Sequence, residues 1–170
     1  MGAARRPRVR YASRRANADG DRRLPTVRGC AHNMTFQENQ VTADVKESGV
    51  QLRREIFGAE VTDRQIAQAN EFTRPMQDVV SKYCFGETWS RPGLSLRDRS
   101  LITVAALCAM GRSHELKIHV KGALANGVTP LEIRELLLHT MVYAGVPLGV
   151  DGIRNAAESL AEAGVDLNKL

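Results

Sequence analysis

Residues 114 to 119, His-Glu-Leu-Lys-Ile-His, carry two imidazoles and a carboxylate within six positions. A zinc-binding helix of the His-Glu-x-x-His type needs its histidines four apart, so that both rings reach one ion from one face. Here His119 follows His114 by five residues. The two rings are then roughly 140° apart around an ideal helix and do not share an ion. Glu115 and His119 are four apart, roughly 40° around the helix, and can meet. On the residues alone two readings of that pair stay open. It is a surface ion pair or a satisfied core histidine, or it is a carboxylate–imidazole pair that moves a proton near neutral pH. His114, at the helix start, is expected to be exposed.

These side chains must be held by helices. "TADVKESGVQLRREIFG" places Val45, Val50, Leu52 and Ile56 at helical spacing, with Gly58 as a stop. "VTDRQIAQAN" reads as a short helix, and a third begins after Thr73-Arg74-Pro75. The "RPGLS" turn follows, and Ser95 caps "LRDRSLITVAALCAMG", a helix apolar around much of its surface and expected to be central. Gly111 ends it, Ser113 is expected to cap the His119 helix, and Gly127 ends that one. Thr129, Pro130 and Glu132 spell a capping box with proline at the first helical position. Gly145 and Pro147 are expected to stop this helix, and a last one is expected from about Val150 to Ala163. No run alternates like a strand, so the fold class is all-α, with about six to seven helices.

Composition narrows the function classes. The chain has 170 residues, 43% of them hydrophobic, which suits one domain with a sizeable core. Residues 1–33 hold nine Arg against Asp19 and Asp21. The remainder holds 15 basic and 17 acidic side chains, so the net charge of +5 belongs to the leader. A nucleic-acid function therefore has no support in the domain. We divide the chain into an Arg-rich leader, residues 1–40, read as a disordered tail or a start set upstream of Met34, and a domain, residues 41–170. Cys30, Cys84 and Cys108 form no Cys-x-x-Cys, which points to a reducing, cytoplasmic setting, with Cys84 and Cys108 as small core residues. No apolar run reaches membrane-spanning length, and no membrane association is expected.

The string "FGETWSRPGLSLRDRSLITVAALCAMGRSHELKIHVKGALANGVTPLEIRELLLHTMVYAGVP", with "RREIFGAEVTDRQIAQANEFTRPMQDVVSKY" before it, closely resembles the gamma-carboxymuconolactone decarboxylase family. The resemblance covers roughly residues 45 to 160. It implies a compact alkylhydroperoxidase-like helical unit that assembles through its helices as a homotrimer or homohexamer. The peroxidase branch of that fold carries Cys-x-x-Cys ahead of the helix histidine. Here Arg112 and Glu115 take those places, and without a thiolate that redox activity is excluded. One departure stands after "YAGVP", where "LGVDGIR" puts Val150 at a place the pathway enzymes fill with Asn.

The implied reaction is cofactor-free decarboxylation of gamma-carboxymuconolactone to the beta-ketoadipate enol-lactone in protocatechuate catabolism. The alternatives are a relative acting on another lactone or small carboxylic acid, or a non-catalytic helical assembly. Carbon dioxide leaves the ring carbon gamma to the carbonyl, and the electron pair delocalises onto the lactone oxygen. The substrate is its own electron sink, so no cofactor or metal is needed. The protein must fix the remaining carboxylate, stabilise the growing oxyanion and protonate the ring carbon alpha to the carbonyl. The candidates for proton transfer are His119 as general acid, with Glu115 holding its tautomer or relaying the proton. Arg97 and Arg99 match its Arg-x-Arg-Ser-Leu. Arg97 leads the stripe Leu101, Val104, Cys108 and so points inward, where a guanidinium grips a carboxylate; an exposed first-turn arginine is the competing reading for both. Glu87 and Trp89 stand before the turn as pocket rim, with core or interface packing as Trp89's other reading. Arg91 either helps bind the anion or reaches solvent. His139 is expected to be buried in packing.

Overall fold

One long helix leads into the described fold. The structure is a computed structural model and describes residues 31–170, with side chains from residue 43 on. Residues 1–30 of the arginine-rich leader, Cys30 among them, lie outside the described residues. The elements are α1 (Ala31–Phe57), α2 (Ala59–Ala67) and α3 (Arg74–Val79), which runs on into a π-helical segment, Val80–Trp89. Then come α4 (Leu96–Ala109), α5 (Ser113–Ala125), α6 (Pro130–Ala144), α7 (Val146–Glu162) and a short 3₁₀ turn, Leu167–Lys169. The fold is all-α, and no strand occurs among the described residues. α1 begins at Ala31, inside the 1–40 segment that the sequence sets apart.

Local signals place most of the boundaries. Ser95 caps α4 by accepting from the Asp98 amide. Thr129 and Glu132 form the reciprocal capping box of α6, with Pro130 in its first turn. Gly58, Gly111, Gly127, Gly145 and Gly164 all take positive φ at helix boundaries.

Four expectations need correction. Arg112, not Ser113, occupies the position before α5, and the Ser113 hydroxyl bonds the Asp151 carboxylate on α7. α7 begins at Val146 rather than near Val150, because Pro147 fits a helix's first turn, where its missing N–H costs nothing. Cys84 is exposed, and only Cys108 is buried. His139 is also exposed: the inner face of α6 is Ile133, Leu137 and Thr140, and His139 lies roughly 200° around the helix from Leu137, against Tyr143.

The core joins four helices. Leu116, Val120 and Ala123 of α5 pack with Val104 and Cys108 of α4, Ile133 and Leu137 of α6, and Ala156 and Leu160 of α7. Each of the larger ones contributes about 1.5–3 kcal/mol by leaving water. α5 turns its other side to α1, and Gly122 lets it come close. A Cβ there would sit 2.9 Å from Phe57 Cε1 and from Ile56 Cγ2. α1 likewise lies tight against the π-helical segment, since a Cβ on Gly49 would stand 1.8 Å from the Ser81 carbonyl oxygen. These two close approaches bring Phe57 and Phe85 up to the His119 side of α5. Among the described residues no helix is long and apolar enough to cross a membrane.

Candidate active site

His119 is the centre of an aromatic group drawn from three elements. It is one turn from Gly122 on α5, the point where α1 approaches most closely. The Phe57 ring meets the imidazole edge-on, with centroids 5.3 Å apart and planes at 89°. Trp89, at the end of the π-helical segment, lies at 6.2 Å, tilted by 36°. Phe85 joins these neighbours, 5.6 Å from Phe57 and 5.4 Å from Trp89. A wide π turn at this point is in keeping with a functional site, where such turns concentrate.

The imidazole opens onto a cleft of about 490 Å³ between α1, α2, α3 and α5. Phe57, Met76, Val80, Phe85 and Ile118 form its apolar walls. Its polar groups include Arg53, Gln65, Gln77, His114, Glu115 and His119. Burial pushes the His119 imidazole below the ordinary histidine range, and the Glu115 charge opposes this without cancelling it. The ring is therefore neutral at neutral pH in the unliganded protein.

Glu115 and His119 share the cleft, yet Glu115 is not hydrogen-bonded to the ring. Its carboxylate accepts from Arg112 Nη2 at 2.7 Å, an exposed i,i+3 pair. That bond holds the Glu115 carboxyl below the usual carboxylate range. The carboxylate thus acts on His119 through its field. His114 is exposed, as its place at the helix start suggests. Among the described residues no three His, Cys, Asp or Glu side chains are grouped to hold a metal ion.

The arginines of α4 are placed elsewhere. Arg97 pairs with Glu132, the capping-box carboxylate of α6, and is absent from the cleft lining. Arg97 does lead the buried stripe of Val104 and Cys108, but its long side chain finds an acid at the stripe's end. Arg99 donates to the Arg91 carbonyl oxygen at 2.9 Å, and its Nε is buried without a partner. Glu87 is exposed. Trp89, half-buried, stands between His119 and a larger open groove of about 930 Å³ that it shares with Gln51, Glu55 and Arg91. The Val150–Asp151 departure is outside the cleft as well: Val150 is exposed and Asp151 is tied to Ser113.

The sequence reading missed Arg53. It is 4% exposed, donates Nη1 to Ser81 Oγ at 2.8 Å and Nη2 to Gln65 Oε1 at 3.0 Å. Both partners are neutral, and burial lowers its proton affinity. The signal was present in spacing: Arg53 lies three residues after Val50 and three before Ile56, within the buried face of α1. A cation in the middle of an apolar stripe marks either an ion pair or a site.

Comparison with known proteins identifies the family. The profile of the carboxymuconolactone decarboxylase family matches residues 74–158. The chain is 37% identical over 124 residues to 4-carboxymuconolactone decarboxylase of Acinetobacter baylyi, covering 73% of this chain and 92% of that protein. It is also 37% identical over 107 residues to nitrosuccinic acid decarboxylase of Metarhizium robertsii, covering 63% and 75%. An all-α chain that carries these matches, with a half-buried imidazole in an aromatic cleft, belongs to the carboxymuconolactone decarboxylase family and is a carboxy-lyase of it.

Proposed function

We propose that the enzyme decarboxylates gamma-carboxymuconolactone to the beta-ketoadipate enol-lactone without a cofactor, with His119 as the proton donor. The observation that carries this reading is the half-buried imidazole facing a cleft in which aromatic and aliphatic walls stand beside polar groups, Arg53 and Glu115 among them. The match along 92% of a 4-carboxymuconolactone decarboxylase supports the choice of substrate.

The chemistry fits the site. The bond between the ring carbon and its carboxylate breaks, and its electron pair passes through the ring double bond onto the lactone oxygen. Apolar walls favour this step, because charge spread over a dienolate is less costly to desolvate than charge on a carboxylate. A proton from His119 Nδ1 or Nε2 then closes the cycle at the carbon alpha to the carbonyl. The imidazole is neutral before substrate arrives, and an anionic substrate raises its proton affinity, so the acid forms when it is needed. Glu115 adds its field to the same effect.

A second reading is supported by the nitrosuccinic acid decarboxylase match. A nitro-substituted dicarboxylic acid poses a similar problem: carbon dioxide leaves a carbon whose electrons pass to an oxygen acceptor, and a second carboxylate remains. Loss of ultraviolet absorbance on mixing the purified enzyme with carboxymuconolactone tests the first reading. No loss with that lactone, together with carbon dioxide release from nitrosuccinic acid, would replace it with the second.

The assembly we propose is a homo-oligomer through α4 and α6. Ile102, Leu138 and Val142 line an exposed, largely apolar groove there, with Val142 nearly 80% exposed in the single chain.

A further inference from the structure

Arg53 is a buried cation with no acid beside it. Among the described residues no carboxylate stands within salt-bridge distance of it, while its two hydrogen bonds go to Ser81 and Gln65. Taking a guanidinium out of water is expensive, and an acid partner is the ordinary compensation. Every other arginine with a described ion pair sits nearer the surface: Arg54, Arg64, Arg97, Arg112 and Arg134 have side chains at least 33% exposed. Arg53 also lines the His119 cleft. It is held in place by two neutral acceptors, and a planar guanidinium has five N–H donors to satisfy. Donors remain for a ligand.

Two further observations point the same way. Gln77, across the cleft on α3, has its side-chain oxygen buried without a partner. Its carboxamide can turn an N–H₂ toward an incoming anion. Phe57 follows Arg53 by one helical turn, about 6 Å along α1, and Phe57 is the residue that meets His119 edge-on. The cation, this ring and the proton donor therefore line one cleft.

We infer that Arg53 receives the retained carboxylate of the substrate, with Gln65 and Ser81 fixing its fork and Gln77 completing the anion site. The departing carboxylate is the wrong guest for this cation. A guanidinium on it would stabilise charge in the ground state that is lost as carbon dioxide forms, and so would raise the barrier. On the retained carboxylate the charge is constant, and the ion pair serves binding and orientation. The identity of the guest as a retained carboxylate rests on the decarboxylase reading; the anion site itself rests on the buried, acid-free guanidinium.

The test separates the two. Succinate and its neutral diamide, succinamide, are titrated by calorimetry into the full-length protein, the Arg53→Met, Arg53→Lys and His119→Gln variants, each with its melting temperature recorded. The wild type is expected to bind succinate and not succinamide. Arg53→Met is expected to lose succinate by on the order of 10²-fold, the effect of removing a charge-assisted pair. Arg53→Lys is expected to bind it weakly, since the planar fork is gone. At a pH well above the histidine range, where the ring stays neutral with or without the anion, His119→Gln is expected to bind it nearly as the wild type does. In turnover, Arg53→Lys is expected to raise KM more than it lowers kcat. A folded Arg53→Met protein that binds succinate like the wild type overturns the inference, as does a wild type that does not distinguish succinate from succinamide. If Arg53→Met fails to fold, Arg53→Lys decides: unchanged affinity and KM overturn the inference. A wild type that binds succinate through Arg53 yet leaves carboxymuconolactone intact removes the substrate assignment and keeps the anion site.

Discussion

Replacing His119 by glutamine probes the site most directly. The amide keeps a similar volume and a hydrogen-bonding end but does not deliver a proton to carbon near neutral pH. A positioned acid contributes on the order of 10²–10⁴-fold in rate, so turnover should fall by that range. The structural cost should be small. The ring gives up its edge-on contact with Phe57, an aromatic pair worth about 0.5–1.5 kcal/mol, which for a chain of this size corresponds to a melting shift of roughly 2–6 °C. The pH behaviour is a second readout. Because burial lowers the proton affinity of the folded ring, stability that depends on a neutral His119 is fully present above the unfolded histidine value. It is lost as pH falls through the lower folded value, and His119→Gln should remove that slope. If the imidazolium is the acid, kcat/KM should decline as pH rises through a midpoint below the ordinary histidine value. For kcat the midpoint should lie higher, since bound anion raises the ring's proton affinity. The assay is decarboxylation followed by ultraviolet absorbance, with melting curves over the same pH range. A folded His119→Gln enzyme with the wild-type rate would refute the reasoning. Coincident midpoints for kcat and kcat/KM would refute substrate-induced protonation alone.

Other changes test the frame around the site. Arg97→Met removes a partly exposed pair with Glu132 and should cost no more than about 1 kcal/mol, with KM within roughly threefold of wild type; a large rise in KM would bring Arg97 back as a substrate ligand. Gly122→Leu should displace Phe57 and Ile56, lowering the melting temperature by roughly 2–12 °C, on an overpacking cost of about 1–3 kcal/mol, and reducing turnover; a neutral outcome would mean that α1 and α5 are not held as closely as described. Val142→Asp places a charge on the exposed apolar face of α6 and should shift sedimentation toward the monomer, while an unchanged oligomer would place the interface elsewhere.

Local residue patterns set most of the helices, though not the start of α7 or the π-helical turn. Ser95 with Asp98, Thr129 with Glu132, and the glycines at 58, 111, 127, 145 and 164 all act within a few residues, so their effect is legible from spacing. Helical geometry also sets His114 and His119 roughly 140° apart around α5, although both border the same cleft. His119 and Glu115 were legible by spacing and Trp89 by its place before the turn, while Phe57 and Phe85 were not. Tertiary structure decided that Phe57, Phe85 and Trp89 gather around the ring, through close approaches that Gly122 and Gly49 permit. It decided that Glu115 bonds Arg112 rather than His119, a competition between two neighbours equally reachable on one helix. It sent Arg97 to Glu132, 35 residues away, and Ser113 to Asp151, 38 away. Above all it placed Arg53 in the cleft beside Ser81 and Gln65. A long, flexible cationic side chain takes whatever partner packing brings within its reach, and helix periodicity says which face it leaves from, not what it meets.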